Sequence, residues 1–238
     1  MSLILAKHNK CRTILFAHHS ILVARSRSIE LFAEPELRDS SEDIAIVHPI
    51  KAISYGWIDG LSLAPSSMPA GNDYPSIAIL IRAETGDPWQ SDIHSIKRYY
   101  LNPNPEFGAT DKAQEVQKSP YLFPPSLVDS IVAYRGFLRC PVLKLGEAGT
   151  SLYVSMSSED IQHPTSNDLC GIVWPGPLNN SCSDAENTEA SHVDRDLKRW
   201  KLFSTVEERW TTLDYIEHRG CIALGSIEGT VRVLYLVK

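Results

Sequence analysis

Histidines, cysteines and aspartates are the residues of this chain from which chemistry would be built, and their spacing limits what that chemistry can be. His8, His18 and His19 lie close in sequence and raise a metal site. Neighbouring residues on a strand point to opposite faces, so His18 and His19 cannot both ligate one ion in regular β structure; a surface turn is the expectation. His48, His94, His163, His192 and His218 stand apart, with no HxxxH or HExxH pattern. Of the cysteines, Cys11, Cys140, Cys170, Cys182 and Cys221, no two form a CxxC. An odd, scattered set reads as a reducing compartment, with Cys140, Cys170 and Cys221 as small buried apolar residues and Cys182 as an exposed thiol. Asp59, Asp87, Asp92 and Asp214 are the carboxylates a glycoside hydrolase would pair, but turns and strand ends are where aspartate ordinarily sits. There is no GxSxG elbow, no P-loop and no GxGxxG. The expectation is therefore no catalytic residue, no metal and no cofactor: a chain that is not an enzyme.

A basic and aromatic set offers binding instead. Arg25, Arg27, Arg82 and Arg98, brought together with Trp57 and Trp89 and with Tyr99 and Tyr100 nearby, would suit an acidic protein partner. The competing expectation is that these arginines are solvated strand ends and the aromatics pack between sheets. A formal charge of −6 argues against non-specific nucleic-acid binding. No apolar run reaches the ~18 residues of a membrane helix. The four apolar residues before Lys7 are too few for a signal peptide, which points to an intracellular protein, cytoplasmic or nuclear.

These residues must be positioned by short strands. Residues 211–215, 221–226 and 231–237 read as three strands joined by turns at 217–220 and 227–229, each turn holding a glycine where a hairpin needs positive φ. Ile222-Ala223-Leu224-Gly225 is nearly all apolar and reads as covered on both faces. One three-stranded ribbon cannot cover itself and needs others stacked beside it, the logic of a propeller. Residues 13–17, 21–25 and 29–32 repeat the design. A second unit is expected from about His48, with 50–55, 58–64, 76–83 and 92–101. A third contains 136–140, 142–145 and 150–154, with 169–174 as a further strand. Residues 178–196 are acidic and poor in large apolar side chains, and read as a mobile loop. The expected fold is all-β: one domain over residues 1–238, a small or partial β-propeller of about four antiparallel meanders. Propellers carry about four to eight blades, so this one sits at the low end or is incomplete.

Residues 14–32 resemble a blade of the WD-repeat-like propellers of fungal, chiefly basidiomycete, F-box proteins, and so do residues 210–225. Arg82-Ala83-Glu84 followed by Asp87-Pro88-Trp89, and Val173-Trp174-Pro175-Gly176-Pro177-Leu178, are similar to further phrases of that family in the same order. The family's F-box opening, Leu-Pro-x-Glu-Leu, and the Trp-Asp dipeptide do not occur here. The chain looks like the C-terminal half of such a protein. The resemblance implies a non-catalytic module that selects protein substrates for a ubiquitin ligase, its partner unidentified, with no Skp-type adaptor contact through this chain alone. A propeller that binds or acts on carbohydrate is the alternative.

Overall fold

Runs of β-branched and aliphatic residues, cut every six to nine positions by glycine, proline and small polar residues, form strands too short to bury both faces alone. A computed structural model of the chain describes residues 9–35, 46–66, 74–84, 93–107, 119–134, 142–156, 167–174, 199–206 and 208–236. The first sheet contains β1 (Cys11–Ala17), β2 (Ser20–Arg25), β3 (Ser28–Ala33) and β4 (Lys51–Ser54). β5 (Ile58–Pro65), β6 (Ile77–Glu84), β7 (Ile93–Leu101) and β8 (Ser126–Tyr134) form the second. The third is β9 (Leu143–Leu145), β10 (Thr150–Met156), β11 (Asn167–Val173) and β12 (Arg199–Thr205). The fourth is β13 (Trp210–Ile216), β14 (Cys221–Ser226) and β15 (Val231–Tyr235). Each is an antiparallel meander, and the four sheets are arranged as a four-bladed β-propeller, as the patterning predicts.

The first strand of each sheet packs against the first strand of the next, β1 on β5, β5 on β9 and β9 on β13. These inner strands alternate strictly. Leu61 and Leu63 on β5 turn back to the first sheet, while Ala64 joins the core shared with the third. On β9, Leu143 and Leu145 turn back, and Val142 just before it packs forward; on β13, Leu213 and Tyr215 turn back. Three hydrophobic cores result. One joins the first and second sheets through Leu22, Ile29, Leu31, Ile79 and Ile81. Another joins the second and third through Leu80, Ile96, Leu145 and Ile172, and the last joins the third and fourth through Leu152, Leu169, Ile222 and Leu224. Each fully buried Leu or Ile contributes about 1.5–3 kcal/mol. Among the described residues no core joins the fourth sheet to the first.

Three details depart from the sequence reading. β4 closes the first sheet by pairing Ile53 with Ile29, so residues 51–54 are an outer strand of that sheet rather than the start of a second. On β14 only Ile222, Leu224 and Ser226 are buried; Cys221, Ala223 and Gly225 stay half-exposed, and among the described residues no core forms on their side. β8 and β12, the outer strands of their sheets, were not expected as strands. The proposed mobile loop 178–196, the strand 136–140, Cys140, Cys182 and Trp89 lie outside the described residues.

Candidate interaction face

One local device recurs on the inner strands. The pairing register of β1 slips between Cys11 and Thr13, that of β5 between Ile58 and Gly60, and that of β13 between Trp210 and Thr212. In each case two residues oppose one, a β-bulge that re-aims the extra side chain. The bulged residue then bonds to the end of the second strand of its own sheet. Arg12 Nε donates to Ser26 Oγ at 3.0 Å, Asp59 Oδ1 accepts from Arg82 Nε at 2.8 Å, and Thr211 Oγ1 donates to the Gly225 carbonyl at 3.3 Å. The end of the propeller where the inner strands begin, its upper end, is thereby pinned blade by blade.

A cavity of about 360 Å³ opens between the upper parts of β1, β5 and β9, lined by Arg12, Asp59, Leu61, Val142 and Lys144. Beside it the turn between β2 and β3 carries Arg27. Its N–H donates to Asn9 Oδ1 at 3.0 Å, and its carbonyl accepts from the Tyr55 N–H at 3.0 Å and from Ser54 Oγ at 3.2 Å. The clamped turn holds the Arg27 guanidinium 4.8 Å from the centre of the Trp57 ring, a cation–π contact, and Trp57 remains 37% exposed.

Charge at this end is unevenly cancelled. Arg25 pairs with Glu30 at 2.8 Å, Arg82 with Asp59 at 2.8 Å, and Lys144 with Asp214 at 2.9 Å across the third and fourth sheets. Hydrogen bonding from Lys144 holds the Asp214 carboxyl below its usual range. Arg12 and Arg27 are held instead by a hydroxyl and an indole ring, which cancel no charge. Among the described residues the upper end thus carries two cations, Arg12 and Arg27, without an acidic partner, in a chain of net charge −6.

Arg25, Arg27 and Trp57 are brought together at the upper end; the other expected site residues are not. Arg82 is buried behind Asp59. Arg98 is only 2% exposed, its guanidinium bonded to the Tyr100 hydroxyl and close to Gly149 of the third sheet. Burial lowers its pKa, opposed by Tyr100, Asp129 and Glu217. Both arginines hold the fold and are withdrawn from any surface. Tyr100 is buried and Tyr99 packs edge-on against Tyr55 at 5.1 Å, so these aromatics fill gaps between sheets. Arg12 and Lys144 were missed; a lone cation at the start of a short strand carries no signal until the bulge places it.

The remaining candidates are accounted for locally. His18 and His19 form the β1–β2 turn, His18 stacked on Tyr74 at 3.9 Å and His19 Nδ1 3.1 Å from Glu34. His8, Asp87 and Asp92 lie outside the described residues, among which no cluster with metal-binding composition occurs. Burial raises the Cys170 thiol above its ordinary value, Cys221 is half-exposed and Cys11 is exposed. No helix among the described residues is long and apolar enough to cross a membrane. No protein-family model matches the chain, and no curated protein matches it.

Proposed function

We propose that this chain is a protein-interaction module whose binding face is the upper end of the propeller, centred on Arg27 and Trp57. The observation that carries the reading is the exposed cation–π pair on a turn clamped by three hydrogen bonds. Aromatic and arginine side chains dominate binding hot spots, and presenting them on a fixed backbone lowers the entropy cost of association. Uncancelled positive charge on Arg12 and Arg27 favours an acidic segment of the partner and predicts association that weakens with salt. β-propellers commonly serve such a role, offering loops on a rigid frame.

The likeness of residues 14–32 and 210–225 to propellers of F-box proteins supports a narrower form of the proposal: the partner is a substrate selected for ubiquitination. No Leu-Pro-x-Glu-Leu pattern occurs in these residues, so contact with a Skp-type adaptor is no part of it. The test is quantitative affinity capture with the wild-type chain and with Trp57→Ala. A hot-spot residue gives about 2 kcal/mol or more, some thirtyfold in affinity. A protein recovered in stoichiometric amount by the wild type, and lost with Trp57→Ala at unchanged melting temperature, is the expected result. Equal recovery by both proteins rejects the upper end as the binding face; a recovered partner that carries no ubiquitin conjugates rejects only the narrower form.

A further inference from the structure

The cavity between β1, β5 and β9 combines a guanidinium fork, a hydroxyl and apolar walls, and we infer that it receives a single carboxylate, the side chain of a glutamate or aspartate on the partner. The inference rests on the upper end being the binding face; it adds which group the partner brings and where that group sits. The β1 bulge sets the key residue. It turns Arg12 onto Ser26, whose Oγ takes the Nε hydrogen at 3.0 Å. Nε is thereby used, while the two terminal nitrogens have no acidic partner among the described residues. Those two nitrogens are the fork that a carboxylate grips with both oxygens. On β5, Ser62 Oγ accepts the Leu145 N–H at 3.0 Å, so its own O–H remains to donate. Leu61 and Val142 line the same space and lower the local dielectric, which strengthens a charged hydrogen bond made there.

The charge count selects the ligand. Arg12, Lys144 and Asp59 line the cavity; Asp59 is paired with Arg82, and Lys144 with Asp214. Three cations against two carboxylates leave one positive charge, that of Arg12, so a monoanion brings the cluster to neutrality. A phosphate dianion would leave it negative and set its second charge against Asp59. An uncharged amide offers the fork one oxygen instead of two. At about 360 Å³ the space lies near the small end of ligand pockets, roughly 300–1,000 Å³, and suits one acidic side chain with its flanking backbone. Arg27 stands outside the lining, against the Trp57 ring, which leaves that pair to hold the neighbours of the acidic residue.

The test needs no knowledge of the partner. Acetyl-glutamate amide carries one side-chain carboxylate, and acetyl-glutamine amide is its uncharged counterpart. Titrated into the full isotopically labelled chain and followed by NMR, the first is expected to shift the amides of residues 12, 61, 62 and 143–145 saturably, with a Kd on the order of millimolar for so small a ligand. The second is expected to leave them in place. Arg12→Gln should weaken binding of the acid about tenfold or more, and Arg12→Lys should weaken it less, since a point charge replaces the fork. Arg12 is exposed, so both variants are expected to keep the wild-type circular dichroism and melting temperature. No saturable shift with acetyl-glutamate amide overturns the inference in the wild-type chain alone. Equal shifts with acetyl-glutamine amide, tighter binding of acetyl-phosphoserine amide, or unchanged affinity in Arg12→Gln each overturn it as well. None of these outcomes bears on the Trp57→Ala capture experiment, so the cavity can be rejected while the binding face stands. Equal capture by Trp57→Ala together with a saturable acetyl-glutamate shift would reject the face and the partner as the source of the carboxylate, and leave a site for a free acid.

Discussion

Glu217 shows how much a single carboxylate holds together. It sits in the short 3-10 turn after β13, yet it accepts the N–H groups of Ala148 at 2.7 Å and Thr150 at 3.1 Å, so the fourth sheet grips the β9–β10 turn of the third. A side chain at Gly146 would overlap that carboxylate. Glu217→Ala removes two hydrogen bonds to a carboxylate and is expected to cost about 1–3 kcal/mol in urea denaturation. Gly146→Ala alone should cost a similar amount by pushing Glu217 away. In a Glu217→Ala background the three nearest atoms are gone, and a smaller unfolded-state entropy is expected to make the same substitution neutral or stabilising by about 0.5 kcal/mol. A change of sign between backgrounds is the readout; additive losses would mean that Gly146 serves something other than Glu217. Tyrosines give a second test at this scale. Burial pushes Tyr121 and Tyr153 up to about 12, and Tyr55 further still. Phenols in the unfolded chain ionise near 10, so the folded state holds the extra protons. This contribution is complete below pH ~10 and is lost as pH rises through ~12. Phenolate absorbance should show a late-ionising class in the native chain that vanishes in urea.

At the scale of the element, the bulge in β5 is the feature to break. It turns Asp59 onto Arg82, whose side chains are only 14% and 11% exposed, and fixes the register between β5 and β6. Asp59→Asn takes from the largely buried Arg82 cation the counter-charge that the bulge supplies and is expected to cost about 1–3 kcal/mol. An exposed pair such as Lys144–Asp214 should be worth under about 1 kcal/mol, a contribution lost on acidification as the Asp214 carboxyl takes up its proton. None of these bulges is visible in the sequence, because an extra residue in a strand looks like any other until its partner strand is known. The strands themselves were legible wherever turn residues bracket them. Gly220 and Gly229 take positive φ, at 58° and 85°, where the last two hairpins turn. β8 was missed, although Ser126–Tyr134 is rich in β-branched residues, because Pro124 and Pro125 beside it suggest a loop. Arg82 and Arg98 misled for a related reason: arginine on an alternating strand reads as solvent-facing, and only tertiary packing reveals an Asp59 or a Tyr100 waiting inside.

For the whole molecule, three hydrophobic cores join the four sheets in sequence, so that among the described residues each inner sheet shares two cores and each terminal sheet one. Stability in such arrays is close to a sum of intrinsic terms and nearest-neighbour joints, so openings begin at the ends. Among the described residues the fourth sheet is the weaker end: it has three strands, β15 is its outer edge, and one core, the Glu217 clasp and the Lys144–Asp214 pair anchor it. The second sheet lies between two cores, with Ile79, Leu80 and Ile81 fully buried. Hydrogen exchange should therefore separate two classes. Amides of residues 221–235 exchange through a partial opening that leaves the second sheet intact. Those of residues 77–81 exchange only with global unfolding. Adding Glu217→Ala should accelerate exchange in 221–235 by tenfold or more, since about 1.4 kcal/mol is a factor of ten, and leave the rate difference within the second sheet far smaller. Equal protection in both segments, shifted equally by Glu217→Ala, would mean that the four sheets unfold as one cooperative unit.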